Sequence, residues 1–182
     1  MKKQRLTKFY SQLDLPFQET AQFYLKDIFR ILESKFNLCK NSKQTFIDLG
    51  SGNGQVVIFC AFNYGIESIG VEIDPILIKE AKNSVRLLKE SKKAKKEVLN
   101  KIRFISGDFY EIELKHYNFI YIYSLPSMQK YLKHVFKMVK SGAIIISHMY
   151  PLNNITECLN FKLKLNHEGK NHDVATYFYR KI

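Results

Sequence analysis

The chain has 182 residues, 46% of them hydrophobic, and 29 Lys plus Arg against 17 Asp plus Glu, for a formal net charge of +12. That suits one domain with one sizeable core and excludes a disordered chain. No apolar run approaches the ~20 residues of a transmembrane helix. The basic start, Met1-Lys2-Lys3-Gln4-Arg5, lacks the apolar stretch of a secretory signal. The three cysteines, Cys39, Cys60 and Cys158, are scattered and offer neither a disulfide framework nor metal-ligand spacing. A monomer in a reducing, cytoplasmic setting is expected. The positive charge fits either solubility or an acidic partner such as nucleic acid. Its densest cluster is Lys89, Lys92, Lys93, Lys95 and Lys96, with Lys101 just beyond. The cluster falls late in a helix, where cations complement the dipole, and reads mainly as a solvated face.

In chain order, residues 18–36 carry Ala21, Leu25, Ile28, Phe29 and Leu32 at helical spacing. A strand is expected at 45–49, then a glycine-rich turn, then a helix from Val56 that Gly65 closes. Further strands are expected at 67–72, 102–106, 117–123 and 142–147. The last two are near-continuous apolar runs, as in strands covered on both faces. Asp74-Pro75 opens a helix as N-cap and first-turn proline, and Ser127 reads as the N-cap of a helix over 128–139. After residue 150 the pattern changes. Residues 161–165 alternate, 166–171 form a polar turn, and 172–179 are again extended, which predicts an antiparallel hairpin. The expected fold is α/β and Rossmann-like: a mostly parallel seven-stranded sheet with a C-terminal antiparallel hairpin and helices on both faces. One domain, 1–182, would comprise an N-terminal segment and helix (1–40), a ligand-binding core (44–150) and the hairpin (151–182). Its ligand would sit outside the carboxyl ends of the first strands.

The most informative stretch is Phe46-Ile47-Asp48-Leu49-Gly50-Ser51-Gly52-Asn53-Gly54. A dinucleotide fingerprint would need a third glycine where Gln55 stands. An acid two residues before the first glycine would also repel phosphate, whereas it suits a cationic ligand. S-adenosyl-L-methionine carries a sulfonium and an ammonium. The Asp-x-Gly-x-Gly-x-Gly run resembles motif I of the class I S-adenosylmethionine-dependent methyltransferases, whose layout is five β-α units followed by a hairpin. The resemblance implies that Asp48, Gly50, Ser51 and Gly52, with Asn53 and Gly54, hold the methionine part of the cofactor. It further implies that Glu72 accepts from both ribose hydroxyls, with Ile73 beside it. Asp108 would accept from the adenine amino group, and Phe109 would pack on the ring.

Residues after the fourth strand face the methyl group in such enzymes; here they are Tyr123-Ser124-Leu125-Pro126-Ser127. Enzymes acting on exocyclic amino groups of nucleobases carry Asp/Asn/Ser-Pro-Pro-aromatic there, and only Ser124 and Pro126 fit that pattern. The departure argues against that chemistry. Tyr123 and Tyr150 are placed near the sulfonium. His148 could line the substrate pocket or orient it, His172 could be structural, and His116, His134 and His167 read as surface positions.

The chain also resembles the small archaeal protein-lysine methyltransferases and their mitochondrial membrane-associated relatives. The residues that carry the likeness are Leu15-Pro16-Phe17, the run from Phe46 to Val57, Gly70-Val71-Glu72, Ser147-His148 and Asn171-His172. Two features depart from it: Gln18-Glu19-Thr20 stands where a further proline is usual, and the mitochondrial relatives' membrane segment has no counterpart. The resemblance implies transfer of methyl groups to exposed lysines of proteins. Tyr123, Ser124 and Pro126 would form the wall of the acceptor channel, and no dedicated base would act. A nucleic-acid methyltransferase using the basic surface and a small-molecule methyltransferase remain alternatives. The second has little spare chain from which to build a cap.

Overall fold

A computed structural model describes residues 20–92, 94–153, 155–167 and 174–182. The parallel strands are Thr45–Leu49 (β1), Glu67–Glu72 (β2), Ile102–Ser106 (β3), Phe119–Ile122 (β4) and Ile144–His148 (β5). Leu159–Asn166 (β6) and Ala175–Lys181 (β7) pair antiparallel with each other, and β7 pairs antiparallel with β5. The seven strands form one sheet in the order β3-β2-β1-β4-β5-β7-β6. This is the expected mixed sheet, and its order reverses between β1 and β4. A crevice opens at such a reversal because consecutive connections leave to opposite faces.

The helices are Gln22–Phe36 (α1), Gln55–Tyr64 (α2), Pro75–Glu90 (α3), Lys96–Leu99 (α4) and Pro126–Lys137 (α5), with one 3-10 turn at Phe109–Glu111. Successive strand residues point to opposite faces, so the central strands feed two cores. Phe46, Tyr121, Ile144, Ile146 and Phe178 pack with Leu25, Ile28, Phe29 and Leu32 of α1 and Val56 and Cys60 of α2. Ile47, Leu49, Ile120, Ile122 and Ile145 face the other way, against Leu132, Val135 and Phe136 of α5.

Several boundaries differ from expectation. Helix α1 starts at Gln22, because Ala21 is extended (φ −55°, ψ 139°); residues 18 and 19 lie outside the described residues. Helix α5 starts at Pro126 and ends at Lys137, so Ser127 is inside it and Leu125 is the N-cap. Proline fits that first turn because it has no N–H to lose and its φ is already helical. Strand β4 begins at Phe119, and β5 runs to His148. The Leu15-Pro16-Phe17 segment, Lys93, the tip of the final hairpin and Asn171-His172 lie outside the described residues. The Asp74 cap holds as expected, with its carboxylate accepting from Ile76 N at 2.8 Å. Gly65 closes α2 in the left-handed conformation (φ 60°).

Candidate active site

β1 ends in an acid and a left-handed turn: Gly50, Gly52 and Gly54 have φ of 82°, 52° and 82°. Gly50 N and Ser51 N donate to Val71 O, both at 2.9 Å, which folds the turn back onto β2. Gly70 on β2 must be bare for this to happen, because a Cβ there would lie 2.5 Å from Ser51 Oγ. Glu72 then locks the turn. Its Oε2 accepts from Gly52 N at 2.8 Å, and its Oε1 accepts from Ile73 N at 2.8 Å and Asp74 N at 2.9 Å. A carboxylate has about four acceptor sites, so one remains on Oε2 for an outside donor, room for one ribose hydroxyl rather than the two expected from sequence.

Asp48 is 2% exposed. Burial, and secondarily the Glu72 carboxylate, raise its carboxyl well above the ordinary range. A cation set beside it would offset that cost, which is the fit expected of a sulfonium or ammonium group. Ser51 Oγ and Gln55 Oε1 are buried without a hydrogen-bond partner and add acceptor capacity at the same turn. Asn53 is half-buried, and its Oδ1 accepts from Gln55 N at 3.3 Å. Phe109 Cε1 lies 3.9 Å from where a Cβ on Gly50 would stand. Asp108 caps the 3-10 turn through Tyr110 N at 2.9 Å. Ile73 is 47% exposed beside Glu72. The residues assigned to the cofactor from sequence thus belong to one turn and the adjoining ends of β1, β2 and β3.

A second group lies at the ends of β4 and β5. Tyr123 is half-buried, Ser124 is buried with its hydroxyl unpartnered, and Pro126 is exposed at the start of α5. The Tyr123 ring stacks on Tyr150 at 6.3 Å and meets His148 edge-on at 5.8 Å. Tyr150 is set by a tight turn after β5, in which Ser147 Oγ donates to Tyr150 O at 2.6 Å and Met149 has φ 70°. Such φ values in residues other than glycine concentrate at functional sites. Gln129 of α5 is buried and donates to Pro151 O at 2.9 Å, tying the helix to this turn.

The structure corrects one histidine. His167, read from sequence as a surface position, is 4% exposed and lies with its ring 5.8 Å from His148. It sits just past β6, beneath Tyr24 of α1, so the hairpin turns it inward. His116 and His134 are exposed as expected, and His172 lies outside the described residues. Thr20, Tyr121 and Thr176, which sequence reasoning passed over, also belong to this group. Thr20 Oγ1 and Tyr121 Oη are 2.9 Å apart, and Thr176 Oγ1 contacts both His148 and His167. Tyr121 pairs in register with Asp48, which connects the two groups across one sheet face. Its place in a continuous apolar run had disguised it as core.

No cluster of metal-ligating side chains occurs among the described residues. Lys89, Lys92, Lys95 and Lys96 are exposed, but only Lys89 lies in the last turn of α3, which ends at Glu90. Lys92 and Lys95 stand in the connection to α4 and Lys96 begins that helix, so the expected place late in a helix fails for them. Lys101 is drawn away to Gly65 O at the end of α2.

A family model for the ANTKMT methyltransferase domain matches residues 48–158. The ATP synthase C-subunit lysine N-methyltransferase of Caenorhabditis elegans is 28% identical over 168 residues, 92% of this chain and 80% of that one. Among solved structures, an RNA methyltransferase from Salinibacter ruber in complex with S-adenosyl-L-homocysteine is 25% identical, with a TM-score of 0.69 over 90% of this chain and 94% of that one. The Escherichia coli protein yhhF, a putative methyltransferase, has a TM-score of 0.66 at 12% identity over 91% of this chain and 87% of that one, and shares the fold. Together with the buried acid and the left-handed glycine turn, these likenesses make the protein an S-adenosyl-L-methionine-dependent methyltransferase. The chain belongs to the ANTKMT methyltransferase domain family.

Proposed function

We propose that the protein methylates lysine side chains of protein substrates. The observation that carries this reading is the likeness to a lysine N-methyltransferase across 92% of the chain. The acceptor side of the site is compatible with it. Tyr123, Tyr150 and His148 form a cluster of aromatic rings at the end of β4.

Asp48 and the Gly50-to-Gly54 turn hold the methionine end of the cofactor, Glu72 takes one ribose hydroxyl through its remaining acceptor site, and Asp108 and Phe109 take the adenine. When bound, S-adenosyl-L-methionine would supply a sulfonium methyl for displacement by the nitrogen, the C–N bond forming as the C–S bond breaks with its electron pair going to sulfur. Lysine must arrive as the free amine, although its ordinary pKa is near 10.4. A partly desolvated wall of Tyr123, Ser124, Leu125 and Pro126 beside a cation lowers that pKa, and the proton leaves to solvent. Alignment and exclusion of water then supply most of the acceleration.

A second reading is RNA methylation, favoured by the Salinibacter ruber likeness and the charge of +12. The residues after β4 lack the aromatic that stacks on a flipped base, since Ser127 stands there. No helix among the described residues is long and apolar enough to cross a membrane. A monomer of cytoplasmic, archaeal-type character is part of the proposal.

The deciding experiment is transfer of labelled methyl groups into a cell lysate, with the product split between protease and nuclease and Asp48→Ala as the blank. Protease-sensitive label on lysine is expected. Nuclease-sensitive label alone would establish the RNA reading instead.

A further inference from the structure

We infer that His148 accepts a hydrogen bond from the attacking lysine amine, and that Thr176, His167 and Asp27 position it by fixing its tautomer. The inference rests on the lysine reading above.

His148 is the last residue of β5, and its register partner is Thr176 of β7. His148 Nδ1 lies 2.9 Å from Thr176 Oγ1, and His167 Nε2 lies 2.8 Å from the same oxygen. One hydroxyl thus stands between two imidazole nitrogens. It has one proton and, among the described residues, no third partner, so it donates to one ring and accepts from the other. Two arrangements satisfy this, and they leave opposite tautomers at His148.

Asp27 of α1 chooses between them. Its Oδ2 is 4.0 Å from His167 Nδ1, a buried nitrogen with no hydrogen bond of its own. An N–H facing a carboxylate is electrostatically favoured, and a lone pair facing it is disfavoured. His167 therefore carries its proton on Nδ1, and its Nε2 accepts from the Thr176 hydroxyl. Thr176 Oγ1 then accepts from His148 Nδ1–H. His148 Nε2 is left as a lone pair on the far side of its ring from β7. The neighbour on that side of β5 is β4, whose end carries Tyr121 and Tyr123.

A neutral acceptor suits this place. Accepting one amine N–H turns the nitrogen lone pair away from the imidazole, and it puts no second cation beside a sulfonium. Burial, and secondarily His167, push His148 down to about 3. The ionisable groups facing it are Tyr24 from α1, Tyr121 and Tyr123 from the β4 side and His167 from the hairpin. Asp27 stands behind His167, and Asp48 stands beyond Tyr121.

The test is long-range 1H–15N NMR of the imidazoles in the full chain with S-adenosyl-L-homocysteine bound, the signals assigned with His148→Gln and His167→Gln. Both rings are expected neutral and in the Nδ1–H form at neutral pH. Thr176→Val should leave His148 a mixture of tautomers and slow transfer into the lysine fraction of a protein extract roughly tenfold or more. Cofactor affinity by calorimetry should be unchanged, and Thr176→Ser should restore the rate. An Nε2–H signal from His148 in the wild-type chain overturns the inference even where a variant fails to fold. So does a wild-type rate in a folded Thr176→Val. Nuclease-sensitive label from the wild type overturns the lysine reading and this inference together, whereas lysine label with the wrong tautomer overturns this inference alone.

Discussion

Burial and the Glu72 carboxylate disfavour the charged form of Asp48, so the folded carboxyl binds its proton more tightly than the unfolded one. A group raised in this way contributes stability below its unfolded pKa and loses it as pH rises through the folded value. The cofactor-free protein should therefore be more stable in Asp48→Asn at neutral pH, with Tm raised on the order of 3 °C, while cofactor binding is largely lost. Thermal melts with and without S-adenosyl-L-methionine check both halves. A drop in the cofactor-free Tm would show that the Asp48 charge is already compensated. Ser124 makes a related case. Its buried hydroxyl has no partner, so Ser124→Ala should leave stability nearly unchanged and slow transfer roughly tenfold if the hydroxyl contacts the amine. Comparing kcat with Tm in one preparation separates the two effects. Asp48 was legible at the residue scale because an acid two positions before a glycine run is a local pattern. Ser124 was legible only through family likeness. Thr176 was invisible, because its two partners come from β5 and the end of β6.

The glycine turn has a narrow tolerance at the element scale. Gly54 is the N-cap of α2 at φ 82°, and a Cβ there would stand 2.4 Å from Phe104 Cζ and 3.0 Å from Ala81 Cβ. Gly54→Ala should cost about 1–3 kcal/mol through both strain and overlap, measurable by urea unfolding. Phe29 of α1 is fully buried, with ring centroids 5.5 Å from Phe46, 5.2 Å from Phe59 and 5.3 Å from Tyr64. Phe29→Ala should cost about 3–5 kcal/mol by leaving a cavity there. The histidine pair adds a pH dependence. Burial lowers both His148 and His167, so the unfolded chain binds more protons than the folded one below its ordinary histidine pKa. Stability from this pair is present above about pH 6.5 and is lost as pH falls from there toward the folded values. Melts from pH 7 down to about 5 should lose less Tm in His167→Gln than in wild type. Element type was read well where periodicity was strong. Ends were read less well where a proline or a partner strand decided them, as at Pro126 and at His148.

Charge is a property of the whole molecule, and at +12 it draws any polyanion. Weak RNA binding is therefore expected at low salt and should fall steeply as salt is raised, with a log–log slope set by the number of phosphates neutralised. Methyl transfer to protein should survive nuclease treatment and moderate salt, which a filter assay run across a salt series would show. By itself the chain determined its class of fold, the left-handed glycine turn and the acids at the ends of β1 and β2. Those features rest on local chemistry: alternation, left-handed glycines and an acid within a few residues of them. Only the tertiary structure decided that His167 lies inside, that Tyr121 lies in register with Asp48, and that one threonine hydroxyl serves two imidazoles. These relations join residues far apart in the chain. They exist because β7 inserts antiparallel between β5 and β6 and because α1 covers the same sheet face, and local sequence patterns do not encode such long-range packing.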